Sequence, residues 1–375
     1  MKIVKKRVII AVTNDLTTDQ RVDRVCNTLT KMQFDVLLIG RKRKTSVPLQ
    51  PRKYRMHRMK LLFDKGPLFY AEYNFRLFLF ILFHKVHLLV SNDLDTLLGT
   101  SLAASVKNVP HAHDCHEYFR GVPELNARPK TTMIWKWVED RYFPRIRTIY
   151  AVNESIARIY ENEYQVVVTP IRNVPFTKPP DHAISRETLG IRPGQRVILY
   201  QGAVNVDRGL EEAILAMKYM TTNAILVIIG TGDVMETLKD LAIKEQVMDR
   251  VLFTGSIPFQ ELHRYTLLAD LGLSIEKDVS INYHFCLPNK FLDYIQAGVP
   301  VLVSPLPEMK AIVDQYEIGE FAENHDPSYL AEKIDHMFGD PDFPEKYREN
   351  LQKAAEDLCW EKEEIKLIRI YEKYV

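Results

Sequence analysis

Arg208, Lys290, Asp293 and His116 are the residues whose types and surroundings point most directly to chemistry. Lys290 and Asp293 lie in Leu287-Pro288-Asn289-Lys290-Phe291-Leu292-Asp293-Tyr294-Ile295-Gln296-Ala297-Gly298. That stretch reads as a loop, a short helix and a turn into the buried strand Val299 to Val303. Pro288 is expected at the first helical position, where a missing N–H costs nothing. Gly298 is expected at the helix end, where a positive φ is useful. The helix start, with Leu287, Asn289 and Lys290 around it, offers free N–H groups, a positive dipole end and an ammonium, all attractive to phosphate. Asp293 follows three residues on, near the same face, and a carboxylate there suits both hydroxyls of a ribose. Phosphate donors beside one acidic acceptor are what a nucleoside diphosphate requires. The plainer alternative is an ordinary helix–turn–strand unit with a solvated Lys290–Asp293 pair.

Arg208 closes a second strand–loop–helix, Tyr200-Gln201-Gly202-Ala203 to Arg208-Gly209-Leu210. A planar cation at a helix N-terminus can fork onto a diphosphate, with Gly202 opening the loop. His116 and Glu117 end the dense run His111-Ala112-His113-Asp114-Cys115-His116-Glu117. His116 is expected at the carboxyl end of a strand, where it can donate hydrogen bonds to a sugar or to charge developing on phosphate. A metal held by His111 and His113, or a satisfied core histidine, are the competing readings. Asn14 and Asp15 follow the first strand, and Asp93 follows a later one; all three are acceptor candidates, a turn with a helix cap being the alternative for the first two. Arg21 and Arg24 sit early in a helix against its dipole, a hint of an anionic partner. Ile229-Gly230-Thr231-Gly232 begins like a dinucleotide fingerprint, but Met235 stands where the third glycine belongs, so a tight turn is the better reading.

These residues need strand ends and helix starts to hold them, and the chain supplies both in alternation. Strands are expected at Val8–Val12, Asp35–Ile39, His87–Val90, the segment ending at Asp114, Thr148–Val152 and Val166–Val168. A second series runs through Arg196–Tyr200, Ile225–Ile229, Val251–Thr254, Leu271–Ile275 and Val299–Val303. Thr17 and Gln20 have capping-box spacing at the start of the first helix. Strand–helix alternation in both halves predicts two doubly wound parallel sheets, with ligands beyond the carboxyl ends of the strands. Pro175, Pro179, Pro180 and Pro193 mark residues 170–193 as the linker. The expected domains are 1–173 and 174–358, with 359–375 a final amphipathic helix.

A chain of 375 residues exceeds one typical core, and 46% apolar with 26% charged residues is ordinary globular composition. The net charge of +1 is unevenly spread: residues 1–63 hold sixteen Lys/Arg and four Asp, a net of +12, which leaves −11 on the remainder. The densest stretch runs from Arg41 to Lys60 and suits a polyanionic surface such as an anionic membrane. Cys26, Cys115, Cys286 and Cys359 show no paired spacing, which fits a reducing, cytoplasmic setting. No signal peptide is visible, and the longest apolar run, Leu77 to Phe83, is too short to span a bilayer. The aromatic-rich stretch Leu61 to Phe83 could also support an interfacial helix. No nucleic-acid-binding pattern is present.

Taken together, "LPNKFLDYIQAGVPVLVS", "YQGAVNVDRGLEEAILAM", "HDCHEYF", "NDLDTLL", "IRNVP" and "TNDLTTDQRVDR" resemble the retaining, nucleotide-sugar-dependent glycosyltransferases of family 4. The resemblance covers nearly the whole chain and is nearest to bacterial enzymes of capsular or O-antigen polysaccharide assembly. It implies the GT-B fold: two Rossmann-like domains facing across a cleft, with a final helix crossing back to the first. It implies an NDP-sugar donor, a lipid-linked glycan acceptor, retention at the anomeric carbon, no cofactor and no metal. Arg208 then grips the donor diphosphate with Lys290, Asp293 holds the ribose, and His116 contacts the transferred sugar. Gly202, Leu287 and Asn289 complete the donor site, while Asn14, Asp15, Asp93 and Glu117 face the acceptor. The implied location is cytoplasmic, at the inner membrane face, with residues 41–60 against anionic lipid. Two departures stand out: Phe285 replaces the first acid of the family's E-x7-E pattern, and Ala203 replaces a basic residue near the diphosphate. A nucleotide-sugar 2-epimerase of the same fold and an inactive scaffold of a polysaccharide assembly are the rival readings.

Overall fold

The computed structural model describes residues 5–122, 125, 128–178 and 181–375; Met1 to Val4 and the linker prolines Pro179 and Pro180 lie outside them. The chain divides into two compact units, Met1–Asn173 with Glu363–Val375, and Val174–Lys362.

The first unit holds a seven-stranded, all-parallel sheet of order β3-β2-β1-β4-β5-β6-β7. Its strands are β1 (Arg7–Ala11), β2 (Asp35–Lys42), β3 (Arg55–Lys60), β4 (Leu88–Asn92), β5 (His111–Cys115), β6 (Thr148–Ala151) and β7 (Val168–Pro170). Buried on both faces, β1, β2 and β4 carry the apolar runs Val8–Ala11, Val36–Ile39 and Leu88–Val90 without alternation, whereas β5, His-Ala-His-Asp-Cys, is buried yet polar. Helices α1 (Gln20–Lys31), α2 (Gly66–Phe83), α3 (Asp93–Lys107), α4 (Pro129–Tyr142) and α5 (Glu154–Tyr164) supply the crossovers. Phe69, Tyr73, Leu77 and Ile81 of α2 pack into a core with Ile9, Ile39 and Leu89 of the sheet. The cap of α1 differs from expectation. Asp19, not Thr17, accepts the Val22 N–H at 3.0 Å, while the Thr17 hydroxyl turns back to Asp15. An Asp one residue before the first turn offers a charged acceptor, and it wins.

The second unit holds a six-stranded parallel sheet of order β10-β9-β8-β11-β12-β13. Its strands are β8 (Arg196–Gln201), β9 (Ala224–Ile229), β10 (Val251–Gly255), β11 (Leu271–Ser274), β12 (Val301–Val303) and β13 (Gly319–Phe321). All six residues of β9 are buried. Both sheets reverse strand order beside their first strand, at β1/β4 and at β8/β11. In doubly wound folds such a switch point opens a crevice at the strands' carboxyl ends.

The last helix spans Trp360–Tyr371. Its first turn belongs to the second unit, where the Trp360 N–H donates to the Pro175 carbonyl at 2.7 Å. From Glu363 onward it belongs to the first unit. There Glu364 accepts from Thr28 at 2.7 Å, and the Tyr371 and Tyr150 hydroxyls meet at 3.0 Å. The chain thus visits the first unit, the second, and the first again.

Candidate active site

In the second unit, β8 and β11 lie side by side, with Leu199 opposite Gly272. Gln201 ends β8, and Glu276 follows the end of β11 by two residues. After β8 the loop makes two left-handed turns, at Asp207 (φ 62°) and Gly209 (φ 73°). Gly209 is required: a Cβ there would stand 2.4 Å from the Ile275 carbonyl oxygen. The same close approach lets the Lys277 N–H donate to the Asp207 carbonyl at 3.0 Å. The loop that presents Arg208 is therefore fastened, backbone to backbone, to the end of β11. Gly230 answers the fingerprint question. Its φ of 138° and its contact with the Gly202 carbonyl, 1.8 Å from where a Cβ would be, make it a tight turn.

The helix of the most telling segment spans Asn289–Gln296, with Pro288 as its N-cap residue (ψ 140°) rather than its first helical residue. One position outside the helix, Pro288 still costs no hydrogen bond. Lys290 does not project into solvent beside Asp293. It is buried, its ammonium ion-paired with Glu276 and 4.2 Å from the centre of the Tyr200 ring. Arg208 approaches the same Glu276 carboxylate at 3.6 Å and stacks on the Tyr283 ring at 4.8 Å. Its Nε is buried with no hydrogen-bond partner among the described residues. Ser274 donates to the other Glu276 oxygen at 2.8 Å. Burial pushes the Glu276 carboxyl up, but Lys290, Ser274 and Arg208 together outweigh it and hold its pKa below the ordinary value. Glu276 was not foreseen from sequence. The available signal was an acid directly after the apolar strand Leu271–Ile275, at the end where ligands bind.

Asp293 accepts a hydrogen bond from the Gln201 amide at 3.1 Å, and Gln201 in turn accepts from Thr266 at 2.8 Å. The carboxylate is thus aimed by a buried amide from the end of β8. Gly202 is exposed at the strand end. Leu287 is partly buried and Asn289 is exposed at the helix start. Phe285 stacks edge-on with His284, 4.5 Å between ring centres. So the structure gathers Arg208, Lys290 and, through Gln201, Asp293 around the ends of β8 and β11.

In the first unit the corresponding ends of β1 and β4 carry an acidic cluster. His116 follows β5, with Nε2 at 3.3 Å from Asp114 and 3.1 Å from the Asn92 amide oxygen. Its Nδ1 lies 3.6 Å from Asp93, and its backbone N–H donates to Asp93 at 2.8 Å. Burial alone would lower the imidazole, but Asp93 and Asp114 overcome it and raise its pKa to about 10. It is therefore an imidazolium at neutral pH, a donor on both nitrogens. Asp93 itself sits in the left-handed region (φ 53°) at the first turn of α3, a strained setting for a non-glycine residue. Asp95 accepts from Thr13 at 2.5 Å, and burial followed by the Asp93 charge pushes it up to about 7. Burial also acts to raise Asp114, but Arg21 and His116 hold it down at about 2.

The structure corrects the anionic partner expected for Arg21 and Arg24. Arg21 is not awaiting an external anion: it is buried, forks onto Asp114 at 2.6 and 3.0 Å, and donates to the Ile171 carbonyl at 2.6 Å. Arg24 donates to Asn173 at 2.6 Å and to Gln20 at 3.0 Å. His111 and His113 both meet the Ser91 hydroxyl, at 2.8 and 2.7 Å, and burial holds each near pKa 3. Both are hydrogen-bonded within the fold, His113 in the core and His111 part-buried at the start of β5; among the described residues no group of three His, Cys, Asp or Glu is placed to hold a metal ion. Asn14 accepts from the Leu16 N–H and donates to Asp19, each within 2.9 Å, and Asp15 accepts from Ser46 at 3.1 Å. Both residues hold their own loop together. Glu117 follows His116 as a half-buried residue. The four cysteines are free thiols.

Residues 19–175 match the Glycosyltransferase Family 4 domain, and residues 181–357 match Glycosyl transferases group 1. An uncharacterized glycosyltransferase of Methanocaldococcus jannaschii is 26% identical over 191 residues, 50% of this chain and 47% of that one. The alpha-monoglucosyldiacylglycerol synthase of Streptococcus pneumoniae is 23% identical over 238 residues, 60% of this chain and 52% of that one. The chain spans about half the length of the curated relatives it matches. The crystal structure of Anabaena HepE in complex with UDP-glucose superposes with a TM-score of 0.76, at 12% identity, covering 98% of this chain and 99% of that one. At that identity the likeness concerns the fold alone. With a family 4 domain followed by a group 1 domain, on two parallel-sheet α/β units of the GT-B type, the chain belongs to the glycosyltransferases.

Proposed function

We propose that the protein transfers a sugar from a nucleoside diphosphate sugar to a hydroxyl of a lipid-linked glycan acceptor, with retention at the anomeric carbon, in cell-surface polysaccharide assembly. The observation that carries the reading is the pair Arg208 and Lys290, held on one buried carboxylate beside the group 1 strand ends. Two cations around a single Glu276 leave a net positive site, and the buried Arg208 Nε still has a donor to offer. A diphosphate leaving group carries the complementary charge, and preorganised cations stabilise it as the glycosidic bond breaks. These side chains supply that charge without a metal or cofactor in this proposal. Asp293, steadied by Gln201, takes the ribose hydroxyls, with Gly202, Leu287 and Asn289 completing the donor site.

A retaining glycosidase works with two closely placed carboxylates, one a nucleophile. Glu276 is already committed to two cations, which makes it a poor nucleophile. A same-face substitution suits these residues better: the bond from the anomeric carbon to the diphosphate oxygen breaks, the acceptor oxygen bonds to that carbon on the same face, and the acceptor's proton passes to the departing phosphate oxygen. His116, doubly protonated, donates to sugar hydroxyls rather than accepting their protons. Asp93 and Glu117 extend the acceptor side; Asn14 and Asp15 shape it through the loop they hold. The relative named as an alpha-monoglucosyldiacylglycerol synthase favours a lipid-borne acceptor, and such an acceptor would place the protein at the inner face of the cytoplasmic membrane. HepE, crystallised with UDP-glucose, favours a uridine or similar nucleotide. No nucleic-acid partner enters the proposal.

The test is thermal stabilisation by UDP, GDP, ADP, TDP and CMP, with Arg208→Ala as control, followed by transfer assays with and without acceptor and with EDTA. A ligand at 100 times its Kd adds about 2.7 kcal/mol. Stabilisation by one nucleoside diphosphate, abolished by Arg208→Ala, is the expected result. Conversion of the sugar without any acceptor would replace transfer by epimerisation, and silence toward every nucleotide would leave a scaffold.

A further inference from the structure

The outer face of the α2–α3–α4 layer in the first unit is apolar. Helix α2 is predominantly apolar, with Glu72 and Arg76 its only charged residues, a composition that belongs to a helix covered on most sides. Yet only one side is covered: Phe69, Tyr73, Leu77 and Ile81 are buried, while Leu68, Phe75 and Phe83 are 60%, 61% and 83% exposed. Helix α4 repeats the pattern. Trp135 and Val138 turn inward, and Met133, Ile134 and Trp137, one stripe at helical spacing, are 71%, 60% and 58% exposed. Between them α3 exposes Val106 (65%) and Leu102. The three helices pack in sequence, α2 on α3 and α3 on α4, and Tyr70 of α2 meets Trp135 of α4 edge-on at 5.1 Å. A shallow recess of about 370 Å³, lined by Lys130, Met133, Ile134 and Trp137, lies on α4. Apolar exposure repeated on three helices packed side by side marks a docking surface.

Charge selects the occupant. The exposed stretches of these helices carry Arg76, Lys107, Lys130, Lys136 and Arg141 against two acids, Glu72 and Asp140. Arg76 and Lys136 already take those acids, at 2.7 and 2.8 Å. Lys107, Lys130 and Arg141 have no acid partner among the described residues. A second copy docking through a two-fold axis would bring these cations onto their own kind. An anionic bilayer complements them and accepts the apolar stripe as well. No described helix is long and apolar enough to cross a membrane.

We propose that this face docks on an anionic lipid bilayer, with Trp137, Ile134, Met133 and Phe75 at the headgroup–acyl boundary and Lys130 and Arg141 on headgroup phosphates. This deepens the membrane reading above and moves its centre. Within residues 41–60, Arg41, Arg52, Arg55 and Arg58 are spent on internal partners, the Asp64 carbonyl, Asp23, Asp35 and the Asp15 carbonyl, while Lys42, Arg43, Lys44, Lys53 and Lys60 stay exposed but without an apolar stripe of their own. Arg41 also stacks on Phe69 at 4.2 Å, so the segment adjoins the start of α2 and adds the exposed Arg43 and Lys44 to its flank.

The full chain supplies its own probe, because Trp137 is exposed while Trp135 and Trp360 are buried. Co-sedimentation with phosphatidylcholine vesicles containing about a third phosphatidylglycerol should show binding that weakens with salt, and pure phosphatidylcholine should bind less. Tryptophan emission should shift to the blue on binding, and Trp137→Phe should lose that shift. Ile134→Asp with Trp137→Asp should cut binding by about tenfold or more. Lys130→Ala with Arg141→Ala should remove the preference for anionic vesicles. Nucleotide stabilisation should persist in all these variants, which shows that the fold is intact and separates this inference from the donor site. Unchanged binding by the Asp variants overturns the proposal. So does a concentration-dependent dimer, without vesicle binding, that Ile134→Asp dissociates; the face would then join copies of the chain.

Discussion

The two switch points of this molecule have the same backbone plan and opposite electrostatics. At β8/β11 two cations, Arg208 and Lys290, close on one carboxylate, Glu276. At β1/β4 three carboxylates, Asp93, Asp95 and Asp114, surround one imidazolium and one guanidinium. Topology says where a ligand goes, and the side chains at the strand ends say which ligand. The β8/β11 crevice, where Arg208 and Lys290 outnumber the one carboxylate they share and Asp293 is held apart by Gln201, suits a diphosphate. The β1/β4 crevice, with acceptors in surplus, suits hydroxyls and repels a second phosphate.

The largest effect that would break this contrast is at Lys290. Lys290→Met leaves Glu276 buried with only the more distant Arg208. We expect a loss of about 3 kcal/mol of stability, as for a broken buried pair, and a fall in transfer of about 100-fold or more. Lys290→Met with Glu276→Leu should recover much of the stability and none of the transfer, read by denaturation and by turnover. Full activity in either variant would remove Lys290 from the donor site.

Next in size is the buried fork in the first unit. Asp114→Ala strands Arg21 and weakens His116, and should cost about 3–5 kcal/mol of stability. Nucleotide stabilisation of the second unit's site should survive where the protein still folds. Asp293→Asn keeps the Gln201 contact but loses charge. It should raise the donor KM by about tenfold, with a smaller change in kcat, and the penalty should shrink for a 2′-deoxy nucleotide.

The smallest effects are in pH dependence. The folded pKa of His116, about 10, lies above its ordinary value near 6.5. Its stabilising contribution is therefore complete below about pH 6.5 and is lost as pH rises toward 10. Asp95, raised to about 7, adds the same sign lower down: stability falls as pH climbs from about 4 to 7. Denaturation of His116→Gln at several pH values should show a flatter decline above pH 6.5, and Asp95→Asn a flatter one below 7. An unchanged slope in both would mean that the cluster is less tightly coupled than its distances imply.

Much of this was legible in the sequence because it depends on local patterning. Buried parallel strands are apolar without alternation, helices between them repeat at helical spacing, and both signals survive without tertiary information. The Arg208, Lys290 and Asp293 candidates could be named from strand–loop–helix context alone. The capping error at Thr17 shows the limit of spacing rules, since an Asp two residues on was the stronger acceptor.

By itself the sequence determined the class of fold, the two halves and the residue types at the strand ends, since period and turn chemistry are properties of neighbours in the chain. Only the tertiary structure decided how those residues are occupied. It put Glu276 between Arg208 and Lys290, turned Arg21 inward onto Asp114, and made His116 a cation by setting two carboxylates beside it. Each partner is distant in sequence. A charge's state depends on which opposite charge the fold buries next to it, and no periodicity along the chain records that choice.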